Sequence, residues 1–212
     1  MNKTDSVLEE IRKHRIIIIY RGLMPEECLE VSRVLYEAGI RLFEVTMNSR
    51  NTEDSIKLLC SELESDAYVG AGTVLDTKQV EMAFDAGAAY IISPNVNTDV
   101  IKRTKQLGMI SIPGAMTPTE VELAAKSGGD IIKIFPIKVL GPGYISQLKG
   151  PLDNIELLPC GGLDLELIKQ LPKTDYSALG IGVQLLGKDL IRKKDWKSLH
   201  GRAKEFIQAS KL

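Results

Sequence analysis

Eight short apolar runs recur along 212 residues, and helical patterns separate them: Ile16–Tyr20, Leu42–Met47, Ala67–Ala71, Ala89–Ser93, Met109–Ile112, Ile131–Phe135, Ile155–Leu158 and Ser177–Ile181. Runs this short, rich in β-branched residues, read as strands buried on both faces, as in all-parallel sheets. Between them apolar residues follow helical spacing, as at Cys28, Val31, Leu35 and Ala38, or at Ile56, Leu59, Cys60 and Leu63. Gly39, Gly87, Gly108 and Gly128 stand where a helix ends and a strand is about to begin. The phrases Glu37-Ala-Gly39, Asp85-Ala-Gly87 and Lys126-Ser-Gly128 recur 48 and 41 residues apart, about two strand–helix units each time. Eight such units predict an α/β fold, a (β/α)8 TIM barrel with an N-terminal helix, as a single domain over 1–212. An open doubly wound sheet is the alternative, but it leads one to expect a GxGxxG turn after an early strand, and none follows the first.

Composition narrows the partners. A formal net charge of −1 argues against nucleic-acid or anionic-membrane binding driven by bulk charge. No apolar run approaches the roughly 18 residues of a membrane span, and no signal-peptide pattern opens the chain. Cys28, Cys60 and Cys160 lack CxxC spacing, which suggests reduced thiols and a cytoplasmic protein. His14 and His200 lie at opposite ends with no paired ligands nearby, so no metal is expected, and no cofactor is expected either.

In a barrel, polar residues at the C-terminal ends of strands face the site. The sixth strand carries Lys133 inside Asp130-Ile-Ile-Lys133-Ile-Phe-Pro136. A lysine there either snorkels to water at the strand end or sits desolvated, where the free amine is favoured and can attack a carbonyl. The second strand ends Glu44-Val-Thr46-Met-Asn48, and alternation sets Glu44, Thr46 and Asn48 on one face. A carboxylate on the inner face is costly unless it is paired or functional, and Lys133 is its natural partner. A structural ion pair and a catalytic couple both fit. Val69-Gly-Ala-Gly72-Thr73 ends the third strand, and its glycines allow close backbone approach or merely relieve crowding. Ser93-Pro94-Asn95 and Ile112-Pro113-Gly114 stiffen the rim of the next two. Cys160-Gly161-Gly162 and Gly180-Ile-Gly182-Val183 close the last two strands, where phosphate sites of barrels recur, although tight turns without a ligand use the same residues.

Assembled in order, Glu44-Val-Thr46, Val69-Gly-Ala-Gly-Thr-Val74, Ile92-Ser-Pro94, Pro113-Gly-Ala-Met-Thr-Pro-Thr-Glu120, Lys133-Ile-Phe-Pro136, Gly141-Pro142, Lys149-Gly-Pro151 and Pro159-Cys-Gly-Gly162 resemble the bacterial 2-keto-3-deoxy-6-phosphogluconate (KDPG) and 4-hydroxy-2-oxoglutarate aldolase family. The resemblance runs from about residue 16 to the C-terminus. It implies a class I aldolase that cleaves a 2-keto-3-deoxy-6-phospho-sugar acid to pyruvate and glyceraldehyde 3-phosphate. It further implies Lys133 as the Schiff-base lysine, Glu44 as the proton carrier, Thr73 and Pro94 at the pyruvyl end, and Gly161, Gly162 and Gly182 at the phosphate. Asn48, Phe135 and Cys160 join the expected substrate contacts. A homotrimer is implied as well.

Three departures from the family pattern shape the expectations. Asn48-Ser49 stands where many members carry an arginine, as in the 2-dehydro-3-deoxy-6-phosphogalactonate branch, and Arg21 on the neighbouring strand is the candidate to hold the substrate's carboxylate. Cys160 replaces a threonine. Val183 replaces a serine, so a phosphate is expected to rely on backbone amides around Gly161, Gly162, Gly182 and Val183. Two other readings remain open at this level: an aldolase for unphosphorylated 4-hydroxy-2-oxoglutarate, and a sugar-phosphate-binding barrel without turnover.

Overall fold

The computed structural model describes residues 3–211. All eight expected strands form, and a short ninth follows the fifth. They are β1 (Ile16–Tyr20), β2 (Leu42–Thr46), β3 (Tyr68–Gly72), β4 (Tyr90–Ile92), β5 (Ile110–Ile112), β6 (Gly114–Ala115), β7 (Ile132–Ile134), β8 (Leu157–Pro159) and β9 (Leu179–Gly182). The fifth run gives β5, and β6 lies beyond it, set off by Pro113, which has no N–H to give the ladder. Helices alternate with strands throughout, and a helix at Lys3–His14 precedes β1.

Every strand pairing is parallel. One sheet runs β5-β4-β3-β2-β1-β9 and the other β6-β7-β8. Two links join them. Chain continuity through Pro113 connects β5 to β6, where the Lys133 amide donates to the Pro113 carbonyl at 2.9 Å, and a parallel bridge couples Cys160 to Gly180. The pairings therefore run full circle in an α/β fold of TIM-barrel type. Gly39, Gly87, Gly108 and Gly128 all take positive φ, as helix-ending residues do.

Alternation along the strands sorts the core into two layers. Ile16, Ile18 and Tyr20 of β1 pack outward among the helices, with Val31, Leu35 and Phe206. Ile17 and Ile19 point the other way, into a second cluster with Leu42, Tyr90, Ile92, Ile110, Ile112 and Leu158. Val7 and Ile11, one turn apart on helix Lys3–His14, belong to this inner cluster. That helix covers the N-terminal end of the strands, and Arg12 fastens it there by pairing with Glu156. The opposite end is left for polar chemistry.

The inner layer also explains one of the small residues. The Tyr90 hydroxyl donates to the Phe43 carbonyl at 2.6 Å across the interior. An added Cβ on Gly70 would stand 2.1 Å from that ring, so the glycine makes room for the tyrosine. No helix among the described residues is long and apolar enough to cross a membrane.

Candidate active site

Glu44 sits mid-strand in β2, on the inward face, and is 1 % exposed. Its side chain lies over β3. A Cβ on Gly72 would stand 1.6 Å from Glu44 Oε1, so the glycine is the space the carboxylate occupies. Of the two readings of these glycines, both Gly70 and Gly72 make room for a named neighbour. Glu44 Oε2 is buried without a hydrogen-bond partner. Burial pushes the carboxyl above its ordinary range, and the cations of Lys133 and Arg21 oppose that shift without cancelling it.

Lys133 lies in β7, paired with Gly114 on one side and Leu158 on the other, and is 7 % exposed. Its Nζ stands 5.2 Å from the centroid of the Phe135 ring, within cation–π range. It is neither a solvent-reaching strand end nor half of a structural ion pair: no such pair joins it to Glu44 among the described residues. Lys133 and Glu44 face one cleft, and the Glu44 Oε2 atom there is unpartnered.

That cleft, of about 230 Å³, gathers nine of the expected residues: Arg21, Glu44, Lys133, Phe135, Cys160, Gly161, Gly162, Gly182 and Val183. Cys160 is buried beside Lys133, and burial raises its thiol pKa while the Lys133 cation opposes. It is therefore held as the thiol, a small, weakly polar wall.

Arg21 directly follows β1 at the rim. Its guanidinium donates to Asn48 Oδ1 at 2.6 Å and to Thr73 Oγ1 at 3.3 Å. Asn48 and Thr73 thus orient the arginine rather than line the cleft themselves. A second stitch, from the Gly22 amide to Ser49 Oγ at 2.9 Å, ties the same two loops. Pro94 lies away from the cleft lining, where its carbonyl carbon would meet a Cβ on Gly114 at 2.4 Å.

The far wall is made of glycine. Gly161 and Gly162 take φ of +96° and +77°, in the region that favours glycine, and the Phe135 ring lies 2.9 Å from where a Gly161 Cβ would be. Val183 requires a correction. Its amide donates to the Ile19 carbonyl at 3.0 Å, continuing the β9–β1 ladder, so it is not available to a phosphate. Its side chain is 1 % exposed and belongs to the outer core.

Sequence reasoning missed Gln184 and Leu185, which line the cleft at the start of helix Gln184–Arg192. A helix following Gly180-Ile-Gly182 was the available signal, since first-turn amides have no intrahelical acceptor. Lys138 was missed too. Its stem crosses Gly162, and its Nζ donates to Asp164 Oδ2 at 3.3 Å.

Comparison with known proteins gives the family. The family model described as KDPG and KHG aldolase matches residues 7–201. A probable 2-dehydro-3-deoxy-6-phosphogalactonate aldolase of Rhizobium meliloti is 37% identical over 178 residues, covering 84% of this chain and 82% of that protein. The 2-dehydro-3-deoxy-6-phosphogalactonate aldolase of Escherichia coli K12 is 36% identical over 171 residues, 80% of this chain and 83% of the relative. A solved native KDPGal structure superposes with a TM-score of 0.82 at 33% identity, covering 92% of this chain and 93% of its own. With its barrel-type sheet, its buried lysine and carboxylate on one cleft and these matches, the chain belongs to the KDPG and KHG aldolase family and is a carbon–carbon lyase.

Proposed function

We propose that the protein is a class I aldolase that cleaves a 2-keto-3-deoxy-6-phospho-sugar acid to pyruvate and glyceraldehyde 3-phosphate, working without metal or cofactor. Lys133 Nζ attacks the C2 ketone and water leaves, giving an iminium ion. Glu44 takes the proton of the C4 hydroxyl, directly or through water, and the C3–C4 electron pair flows to the iminium nitrogen as the aldehyde departs. Glu44 then returns the proton to the enamine carbon, and hydrolysis of the resulting imine frees pyruvate and Lys133. The cationic nitrogen does the work a Lewis acid would do. The carrying observation is the Glu44 carboxylate, buried with an unpartnered oxygen in the cleft that Lys133 shares.

Arg21, aimed by Asn48 and Thr73, is the cation for the substrate's carboxylate, since its planar fork suits two oxygens. Pro94 supports the pyruvyl end from behind, while Phe135 and Cys160 shape the wall beside it. Gly161, Gly162 and Gly182 offer the backbone cradle for phosphate. The two relatives named above favour the phosphogalactonate-derived keto acid. We read the fold as one (β/α)8 barrel domain over 1–212 with an N-terminal helix, acting as a cytoplasmic homotrimer. Supporting this are the circular pairing and the exposed Met82, Phe84, Met116 and Leu123, apolar surface of the kind subunit interfaces cover.

A second reading, cleavage of unphosphorylated 4-hydroxy-2-oxoglutarate, is favoured by the engaged Val183 amide. Two measurements test the proposal. Borohydride with pyruvate should label the protein at Lys133, and absence of label defeats the class I chemistry in favour of a barrel that only binds. A cleavage assay should rank the phosphogalactonate-derived keto acid above the phosphogluconate-derived and unphosphorylated ones.

A further inference from the structure

The cations that line the cleft, Arg21 and Lys133, are assigned above to the carboxylate and the ketone, which leaves neither for a phosphate on the glycine wall. The nearest cation by contact is Lys138, on the short helix Ile137–Leu140 that follows β7. Its backbone is fixed to the same loop: the Ile137 amide donates to the Cys160 carbonyl at 2.8 Å, and the Lys138 amide to Gly161 at 3.1 Å. Its side chain then runs over Gly162. A Cβ on that glycine would meet Lys138 Cδ at 2.7 Å and Cβ at 2.8 Å, so Gly162 is also the seat of the lysine stem. The ammonium ends at Asp164 Oδ2, 3.3 Å away, in a pair whose members are 63 % and 45 % exposed. A pair so long and so open adds little stability and is readily exchanged for a stronger partner. Asp164 does not need it. Its other oxygen, Oδ1, caps helix Leu165–Gln170 by accepting from the Leu167 amide at 2.9 Å.

We infer that Lys138 is a substrate-binding residue for the terminal phosphate: its ammonium leaves Asp164 and closes over the anion held on Gly161 and Gly162, supplying the donor that Val183 lacks. A dianionic phosphate outcompetes one exposed carboxylate for a lysine, because charge-assisted hydrogen bonds strengthen with the acceptor's charge. Asp164 is then a positioning residue that parks the lysine beside the cradle. The inference rests on the phosphorylated substrate proposed above and extends it to a residue outside the cleft lining.

The test measures kcat and KM for a 2-keto-3-deoxy-6-phospho-sugar acid and for the same acid without phosphate, in the wild type, Lys138→Met and Asp164→Asn. Methionine keeps an apolar stem over Gly162 and removes the charge. Asparagine keeps the helix cap and releases the lysine. Lys138→Met should raise KM for the phosphorylated acid about tenfold with kcat little altered, lowering the preference for phosphate by the same factor. Added salt should erode the wild-type preference and not the variant's. Asp164→Asn should hold or increase that preference. A purely structural pair makes the two variants behave alike, so a shared loss, or no change in Lys138→Met, overturns the role of Lys138 while leaving the phosphorylated substrate standing. A wild type with no preference for phosphate overturns both.

Discussion

On one side of the cleft Glu44 and Lys133 are 1 % and 7 % exposed, and on the other Gly161, Gly162 and Gly182 present no side chain at all. The first wall stores titratable groups where water cannot stabilise their charges, and it holds them by close packing against β3 and Phe135. The second uses the positive-φ glycines Gly161 and Gly162 to expose backbone, with its charge left to exposed side chains at the rim. Proton transfer by Glu44, whose proton affinity burial raises, belongs on the first wall. Recognition of a solvated anion, which has to enter and leave, suits the second. Substitutions on the first wall should therefore strike turnover, and those on the second should strike affinity.

Lys133 is the sharpest test of that division. Lys133→Arg keeps a cation but forms no imine, so cleavage and borohydride trapping should both fall to background. Substantial turnover in this variant, measured with any of the three keto acids, ends the class I assignment.

Glu44 comes next. Glu44→Gln should still trap pyruvate, while turnover and proton exchange of pyruvate with solvent fall by about 10²–10⁴-fold. Exchange at the wild-type rate would remove Glu44 from proton transfer. Because burial raises its folded pKa, the acid limb of the cleavage profile should lie above the ordinary glutamate value of about 4.3. The same shift has a stability side. The folded state keeps this proton more tightly than the unfolded chain, so wild-type stability falls as pH climbs from the unfolded pKa through the raised folded one. Glu44→Gln should then melt higher than wild type at neutral pH, with the gap closing below about pH 4. Gly72→Ala attacks the same group from outside. A methyl 1.6 Å from Oε1 forces the carboxylate to move, so turnover should drop toward the Glu44→Gln level with no gain in melting temperature.

Much of this first wall was legible beforehand. Apolar runs of strand length marked every strand but the two-residue β6, and alternation placed Glu44 inward, because both are properties of a single segment. What single segments do not carry is cross-strand register. That Gly72 seats Glu44 depends on how β2 and β3 pair, with Thr46 opposite Gly72. On the second wall the losses were larger. Val183 looked like an amide donor until its N–H was found spent on Ile19, since a ladder consumes backbone groups that a motif counts as open. Lys138 was invisible for a similar reason: the chain turns after Pro136 and returns its fifth residue past Lys133 onto a loop 24 residues later, as no periodicity announces.

Arg21 lies between the two walls in character, charged but exposed. Held by Asn48 and Thr73, it should contribute to affinity for the pyruvyl carboxylate. Arg21→Ala should weaken pyruvate trapping about tenfold, the loss of one charged hydrogen-bonded contact, with the maximal rate of labelling largely kept. Asn48→Ala should reproduce part of that loss by freeing the guanidinium. Pyruvate affinity untouched in Arg21→Ala would mean that the carboxylate is held elsewhere.

The smallest effect is expected at Val183, where two consequences oppose. Serine would add a hydroxyl on the lining of the cleft, next to Gly182 and Gln184, and a hydrogen bond to a charged phosphate is worth roughly 1.5–3 kcal/mol. The same position is 1 % exposed and packs in the outer core, so removing the valine methyls forfeits about 1–2 kcal/mol of apolar burial. The backbone bond to Ile19 survives either way. Val183→Ser should accordingly improve kcat/KM for the phosphorylated acid only a few-fold, lower the melting temperature, and leave pyruvate trapping unaltered. If trapping moves as well, the hydroxyl reaches the pyruvyl end and the two walls are not independent. A stability loss with no gain for phosphorylated substrate would place the Val183 side chain wholly on the core side, leaving the cradle to backbone amides and the lysine at its rim.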